Sequence, residues 1–346
     1  MTTIHDVAEL AKVSIKTVSR VVNNEPRVRD TTRERVLQAI DKLKYRPHQG
    51  ARLMRSNKSG LIGLISTALS TIPGKVAHNG LSSIHIVKGI QQECRAAGKT
   101  LLILDTDPKS DKVDSLVEIL ESYRVEGIIH VIDYNRKLAT DTSVRVPLWL
   151  VNASSDDDAP AVAPDDRRSQ YLATEYLIAK GHTKLAYVGF PDEIEAGRQR
   201  NQGFLQAVDA YGLDRNSVTV VPGLIVVDCE QISTLEAEIE KLLQQEERPT
   251  AICFGNDLMA VQGCRALQGH GIRVPEDISV MGFDDDLVQV SASNPPLTTF
   301  TLPYHEMGRL AAKRLISQLD KTAKPEVYPL ELHGEVIERE SVINLK

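Results

Sequence analysis

A short run near the amino terminus, SIKTVSRVV, carries side chains that could hydrogen-bond to nucleic-acid bases and phosphates. Lysine and arginine donate to guanine and to phosphate oxygens, hydroxyl groups donate or accept, and isoleucine can meet a thymine methyl group. A helix would place Lys16 and Arg20, four residues apart, on one face. The candidate contact residues are Ser14, Ile15, Lys16, Thr17, Ser19 and Arg20. The solvated face of any small helical domain has a similar composition, so this pattern alone leaves that alternative open.

Three short helices are predicted to position this face. Apolar residues recur at three- and four-residue spacing over 4–11 and again over 14–22, and Thr3 with Asp6 predicts a cap for the first helix. Thr31 with Glu34 predicts a capping box at the start of the third helix. The inward positions of the second and third helices are Val18, Val21, Val22, Val36, Ile40 and Leu43.

Charge is distributed unevenly along the chain. Residues 1–59 contain 13 Lys and Arg against 6 Asp and Glu, a net charge of +7, whereas the remaining residues carry −13. A basic head is attracted to phosphates and an acidic body is repelled by them, so the head is the part expected to lie on DNA. This balance favours DNA binding over an ordinary three-helix domain.

Beyond residue 60, apolar β-rich runs alternate with amphipathic helical stretches, which predicts parallel sheets covered by helices. One series runs from GLIGLIS to PLWLVN and a second from KLAYVGF to ISVMGFD, so two lobes facing a cleft are predicted. The last stretch, LTTFTLPYHEMGRLAAKRLISQL, is expected to cross between the lobes and to add a helix to one of them. The expected fold is a small all-α head followed by a two-lobed α/β body.

Polar side chains follow several predicted strands, at the edge where parallel sheets bind ligands. Carboxylates and amides accept hydrogen bonds from hydroxyl groups and arginine donates to oxygens, so the set suits a polyhydroxylated ligand such as a sugar. These residues are Asn152, Asn256, Asp257, Asp284, Asp285 and Asp286, with Arg198 and Arg200 after another strand. Each acid or amide could instead cap a helix, which is favoured for Asp257 and Asp285. Trp149 could stack on a sugar, but its apolar surroundings favour core packing.

Sequence motifs for catalysis, metal binding and secretion are absent. There is no GxSxG, P-loop or HExxH motif, and three adjacent acids in GFDDD cannot all face one Mg²⁺ ion. The four scattered cysteines form no CxxC pair and are expected to be reduced core thiols. No apolar run of about 18 residues and no secretory signal is present, which predicts a cytoplasmic protein. We expect no catalytic residues, no metal and no cofactor.

Several motifs resemble the LacI/GalR family of bacterial transcriptional repressors. IHDVAELAKVSIKTVSRVVN and VRDTTRERVLQAIDKLKYRPHQGARLMRS are similar to the family's headpiece and hinge over residues 3–56. GHTKLAYVG, RQRNQGF, CFGNDLMAVQG, VPEDISVMGFDD and PPLTTF resemble its sensor domain, itself similar to periplasmic sugar-binding proteins. The resemblance implies a helix-turn-helix domain at 1–46, a hinge at 47–59 and an effector-binding and dimerisation domain at 60–346.

The resemblance also implies roles for residues of the head and hinge. Ile15 and Lys16 would lead base recognition, with Arg20 on the same face. The hinge would become helical on operator DNA and insert Met54 into the minor groove as an apolar wedge. Gly50 departs from the family pattern and is expected to weaken hinge folding, because glycine disfavours helix.

For the body, the resemblance implies a set of effector-binding residues. They are Arg200, Asn256 and Asp284, with weaker placements for Asn152 and Tyr304, and with Arg198 as the neighbouring alternative to Arg200. The segment 66–84 should form the first cleft loop, but it departs from the family's shorter form, and no ligand residue is assigned within it.

The expected function is a cytoplasmic, ligand-responsive repressor that binds a near-palindromic operator as a homodimer and so associates with the nucleoid. A small molecule between the lobes would change operator affinity by shifting the body between open and closed forms; the sequence does not give the direction. A sugar or sugar derivative is favoured over a purine because aromatic residues make up only 4% of the chain. A transport-associated sugar-binding protein, an enzyme and an architectural DNA-binding protein are the alternatives. The lack of a heptad helix after VIERESV favours a dimer over a tetramer.

Overall fold

The structure, a computed structural model, describes residues 2–22, 25–45, 58–67, 81–106, 113–132, 135, 137–138, 144–155, 157, 159–227 and 230–346. The chain forms two compact units, Met1–Gly60 and Leu61–Lys346. Met54, Gly50 and residues 68–80 of the expected cleft loop lie outside the described residues.

The described residues of the first unit form three helices: α1 (Ile4–Ala11), α2 (Ile15–Val22) and α3 (Asp30–Lys42). The start of α1 is confirmed, because the Thr3 side chain accepts from the backbone of Asp6 and the Asp6 carboxylate accepts from the backbone of Thr3. At the end of α1, Lys12 adopts a left-handed φ of 53° that turns the chain toward α2. One buried apolar cluster holds the three helices together: Val7, Ala8, Ala11, Val18, Val21, Val36 and Ala39.

The capping box predicted for the third helix is wrong. α3 begins at Asp30, and the residue before it, Arg29, makes no side-chain capping bond. Thr31 therefore lies inside the first turn, where its backbone is helical and not extended as a cap requires. The inward position predicted for Val36 is confirmed, since its side chain is fully buried.

Where the structure describes the second unit, it contains eight α-helices and sixteen strands. The helices are α4 (Leu81–Ala96), α5 (Val113–Ser122), α6 (Asp166–Ala179), α7 (Glu195–Ala210), α8 (Leu235–Gln244), α9 (Asp257–Gly269), α10 (Leu287–Ala292) and α11 (Tyr304–Leu319). The strands are β1 (Leu61–Ser66), β2 (Thr100–Asp105), β3 (Gly127–Val131), β4 (Lys137–Leu138), β5 (Leu148–Val151), β6 (Ser154–Ser155), β7 (Ala161–Pro164), β8 (Leu185–Gly189), β9 (Val218–Pro222), β10 (Leu224–Val227), β11 (Glu230–Ser233), β12 (Ala251–Phe254), β13 (Ser279–Asp284), β14 (Thr298–Thr301), β15 (Leu330–Leu332) and β16 (Val336–Ile337).

Two six-stranded sheets organise this unit, as the two alternating series predicted. Sheet 1 has the order β15-β7-β5-β3-β1-β2, and all its pairs are parallel. Sheet 2 has the order β16-β14-β13-β12-β8-β9, and its pairs are parallel except β14 with β16. The antiparallel edge strand β16 is only two residues long, too short for a periodic pattern to predict.

The described chain passes between the two sheets from β7 to α6, from β14 to α11 and from β15 to β16. The second crossing confirms that the stretch from Leu297 to Leu319 adds a helix to the other lobe, since α11 packs on α4 and on strands of sheet 1. The backbones of α4 and α11 are nearly in contact. A Cβ at Gly308 would lie 2.0 Å from the carbonyl oxygen of Ile86, so only glycine permits this approach.

Residues from both sheets share one large apolar core. Trp149 is 2% exposed within it, and its indole Nε1 donates to the Gln318 side chain at 3.0 Å, which confirms core packing. Cys94, Cys253 and Cys264 are buried free thiols, as predicted; Cys229 lies outside the described residues.

Two features are not found in the described part of the chain. None of its helices combines the length and apolar character needed to cross a membrane. In the same residues, no group of three or more His, Cys, Asp or Glu side chains is placed to hold a metal ion.

Candidate functional site

The predicted DNA-reading face lies on α2, which the apolar cluster holds through Val18 and Val21. Lys16 is exposed on the opposite side, whereas Ile15 is half-buried and packs against the cluster. Lys16 is therefore free of the core and available to a base edge, while only part of Ile15 can meet a ligand.

The two hydroxyls at the start of α2 bond to each other. The Ser14 hydroxyl accepts from the Thr17 backbone at 3.1 Å and lies 2.9 Å from the Thr17 hydroxyl. The Ser14 hydroxyl therefore provides a partner for one backbone N–H group of the first turn of α2, where helix N-termini leave such groups without intrahelical partners. Arg20 lies 3.6 Å from the Glu25 carboxylate in an exposed ion pair, and Ser19 is half-buried next to it.

Among the charged residues assigned to effector binding, Arg200 is the most deeply buried, at 4% exposure. Its Nε donates to Asp166 at 2.8 Å, and its Nη1 donates to the carbonyl of Gly255 at 2.6 Å. The guanidinium carbon lies 4.1 Å from the centre of the Phe283 ring, a cation–π distance. These contacts fix the guanidinium plane.

The charge of Arg200 is balanced by neighbouring acids. Burial alone would lower the pKa of Arg200, but the carboxylates of Asp166 and Asp284 outweigh it and raise that pKa. The guanidinium is therefore permanently charged, and two acids act on it.

Asp284 and Tyr304 complete this group. The Tyr304 hydroxyl donates to the Asp284 carboxylate at 2.8 Å. Burial raises the pKa of Asp284 to about 6, although Arg200 and the Tyr304 hydrogen bond act in the opposite direction. The structure thus brings together three of the five predicted effector residues, Arg200, Asp284 and Tyr304.

The two predicted asparagines have structural roles at strand ends. Asn256 caps α9, because its side-chain oxygen accepts from the Met259 backbone at 2.8 Å. Asn152 has a left-handed φ of 61°, and its amide donates to the carbonyl of Ile132 at 2.9 Å in sheet 1. The alternative arginine, Arg198, points outward and pairs with Glu195, so Arg200 is the arginine that enters the cluster.

The acids of GFDDD face three different partners. Asp284 accepts from Tyr304, Asp285 pairs with Arg339 at 2.8 Å, and Asp286 caps α10. The predicted capping role of Asp285 is therefore wrong, because a basic side chain from the carboxyl-terminal segment reaches it. Three carboxylates engaged in three directions do not form one cation site.

The capping role predicted for Asp257 is also wrong. Its carboxylate accepts from the Thr299 hydroxyl at 2.5 Å and from the Asp286 backbone at 2.7 Å, so it ties β14 to the acidic turn. Burial and the nearby Asp284 raise the pKa of Asp257 well above its usual value. Asn256, one position earlier, occupies the cap instead.

Sequence reasoning missed Asp166 and Asn135. Asp166 is the first residue of α6, directly after the crossing from β7, and its carboxylate lies between Arg200 and Asn135. The side-chain amide of Asn135 donates to the Asp166 carboxylate at 2.9 Å, and the backbone carbonyl of Asn135 accepts from the Ala196 backbone. Asn135, which follows β3 of sheet 1, therefore contacts the helices α6 and α7, which pack beside sheet 2. The two adjacent acids that follow the apolar run AVAP were a sequence signal for Asp166, whereas Asn135 had none.

Comparison with known proteins adds family membership to this geometry. Residues 3–48 match the model of bacterial regulatory proteins of the lacI family, and residues 174–342 match a periplasmic binding protein-like domain. An HTH-type transcriptional repressor PurR of Aliivibrio salmonicida is 32% identical over all of both chains. The chain belongs to the LacI family. It is a transcriptional repressor of that family, with its helix-turn-helix head and its two-sheet sensor.

Solved structures of LacI-family proteins share the whole fold. A lac repressor dimer bound to operator and the anti-inducer ONPF is 26% identical, with 99% of each chain covered and a TM-score of 0.75. The regulator CelR in complex with cellobiose is 25% identical, with 99% of this chain and 100% of that chain covered and a TM-score of 0.63.

Proposed function

We propose that this LacI-family repressor binds a near-palindromic operator as a homodimer and that a sugar or sugar derivative bound in its body controls operator affinity. The observation that carries the effector site is the convergence of Arg200, Asp284 and Tyr304. These residues come from α7, the end of β13 and the start of α11, and Tyr304 directly follows a crossing between the sheets. A ligand held there would contact elements that link both sheets, so binding would bias their arrangement.

The sugar is supported by the donors and acceptors of this group. Asp284 accepts from hydroxyl groups, Arg200 donates to ring oxygens, and both are suited to a polyol. The cellobiose complex of CelR, which has the same fold, supports the same class. Asn152 and Asn256 keep their proposed assignment to the effector site, since each stands at the end of a strand.

The operator contacts are proposed for the six residues of the α2 face, Ser14, Ile15, Lys16, Thr17, Ser19 and Arg20, together with Met54 of the hinge. Lys16 is the exposed cation best placed for a base edge. The division into a helix-turn-helix domain at 1–46, a hinge at 47–59 and a sensor at 60–346 is part of the same proposal. A repressor acting on operator DNA places the protein in the cytoplasm.

A thermal-shift screen of the full-length protein against sugars and nucleobases tests the effector class, because a ligand that binds only the folded state raises the melting temperature. Each hit is then added to an operator selected from random DNA, and binding is followed by fluorescence anisotropy. A sugar that shifts the melt and changes operator affinity supports the proposal. A nucleobase that does so, with no sugar active, overturns the sugar assignment.

Two arginines on one helix provide a matched pair for the site. Arg200→Gln should abolish the effector response, whereas Arg198→Gln should leave it unchanged, since Arg198 is exposed and pairs only with Glu195 among its described partners. Equal responses in both variants would remove Arg200 from the effector site.

A further inference from the structure

Arg200 is an arginine whose charge is already matched inside the protein. Asp166 pairs with it at 2.8 Å, and both side chains are almost fully buried, at 5% and 0% exposure. Two of the five guanidinium N–H groups are engaged, one by Asp166 and one by Gly255. None of the described hydrogen bonds of Arg200 involves Nη2, so this nitrogen can still donate to a neutral acceptor.

Asp166 is held in this position from two further sides. The Asn135 amide donates to its second carboxylate oxygen at 2.9 Å. It is also the first residue of α6, a 14-residue helix whose amino-terminal dipole favours a negative charge. The Arg200–Asp166 ion pair is therefore held in place by the surrounding structure, and a ligand cannot displace Asp166 without breaking these contacts.

A second acid then leaves the group with excess negative charge. Asp284 also acts on Arg200, and among the described cations Arg200 is the one that acts most strongly on Asp284. One buried cation thus faces two carboxylates. An anionic ligand placed beside Arg200 would be the third anion there and would be repelled by Asp166 and Asp284, in surroundings where charges are poorly screened.

We propose that Asp166 is a specificity-determining residue that makes this site reject anionic ligands, so that the part of the effector bound at Arg200 is uncharged and carries hydroxyl groups. Such a ligand donates to the Asp284 carboxylate and accepts from the unused Nη2 of Arg200. Sugar phosphates and carboxylated sugars are excluded at this position. The inference rests on the proposed effector site and narrows its ligand class.

Inorganic phosphate is the probe that tests this selectivity without a known effector. The melting temperature of the full-length protein is measured with about 50 mM phosphate and with chloride at equal ionic strength, which cancels general screening. Asp166→Asn keeps the shape of the side chain but removes the charge that matches Arg200. The double variant Asp166→Asn/Arg200→Gln is the control, because it retains the basic head and any phosphate binding there.

The expected result is a phosphate-dependent rise of about 3 °C or more for Asp166→Asn above the double variant, with the wild type equal to the double variant. A wild-type shift as large as that of Asp166→Asn would overturn the proposal, and so would no gain in Asp166→Asn. If Asp166→Asn does not fold, Asp166→Ser takes its place, and the same gain is required of it. These melting temperatures are measured without operator DNA or sugar, so their outcome tests the role of Asp166 independently of the proposed function.

Discussion

The hydroxyl of Tyr304 lies 2.8 Å from the carboxylate of Asp284, and this hydrogen bond joins the end of β13 to the first residue of α11. Asp284 belongs to sheet 2, whereas α11 packs on α4 and on strands of sheet 1. The pair is thus a direct polar link between elements of both sheets. A ligand that competes for Asp284 would act on this link.

Tyr304→Phe should lower the free energy of unfolding by about 1–3 kcal/mol at pH 8, because it leaves the partly buried carboxylate of Asp284 without this donor. The loss should be smaller at pH 5, where Asp284, with a pKa of about 6, is largely protonated. Urea unfolding at both pH values measures this. Tyr123→Phe is the control, since Tyr123 is 58% exposed. Equal losses at pH 5 and pH 8 would contradict the assignment.

Asp284→Asn should flatten the pH dependence of stability between about pH 4 and pH 7. Burial raises the pKa of Asp284 from 3.8 to about 6 on folding, so the folded protein binds the proton more tightly than the unfolded chain. The resulting stabilisation is fully present below about pH 4 and is lost as the pH rises through about 6. The free energy of unfolding of the wild type minus that of Asp284→Asn should therefore fall as the pH rises from about 4 to about 7.

Glu193→Gln, which removes an exposed carboxylate, should show no such fall relative to the wild type. A wild type that gains stability relative to Asp284→Asn as the pH rises would show that the sign is wrong.

Asp257→Asn should be tolerated within about 1 kcal/mol, because burial and Asp284 raise the pKa of Asp257 and so disfavour its charged form, and an amide can donate to the Thr299 hydroxyl and accept from the Asp286 N–H. Asp257→Ala should cost about 2–4 kcal/mol, since it leaves the Thr299 hydroxyl and the Asp286 N–H without partners. Chemical denaturation compares the two variants. A similar cost for both would mean that the charge of Asp257, and not its hydrogen bonds, is what the fold requires.

Gly308→Ala should destabilise the body by more than about 3 kcal/mol, because the new Cβ would lie 2.0 Å from the Ile86 carbonyl and α4 would have to move. Gly269→Ala is the matched control: it lies at the end of α9 with nothing within 4 Å of a new Cβ. The free energy of unfolding of Gly269→Ala should stay within about 1 kcal/mol of the wild-type value. Thermal unfolding of both variants is the measurement, and equal melting temperatures would contradict the close approach of α4 and α11.

Lys16→Ala should alter base preference at one operator position by about 1–3 kcal/mol, as expected for a residue that contacts a base edge. Selection of operators from random DNA by the wild type and the variant would detect the change. Lys12→Ala, at the turn before α2, is the control for loss of positive charge alone. A uniform weakening on every sequence would mean that Lys16 contacts only phosphate.

Much of the fold could be predicted because it depends on local patterns. The spacing of apolar residues determined the first two helices of the head, and alternating strand and helix runs determined both parallel sheets. Local rules failed at predicted caps. Thr31 was predicted to cap α3, but the helix begins one residue earlier, at Asp30. Asp285 was predicted to cap a helix, but it pairs with Arg339, which lies 54 positions further along the chain.

The sequence by itself determined the family motifs, the two-part charge distribution and the polar residues at strand ends. It left Arg198 and Arg200 as neighbouring candidates, although the buried stripe of α7, Gly197, Arg200, Gly203 and Phe204, has the spacing that singles out Arg200. Only the tertiary structure decided that Asp166 balances Arg200 and that Tyr304 meets Asp284. Those pairs join distant segments, and their energies depend on burial and mutual distance, which no local pattern encodes.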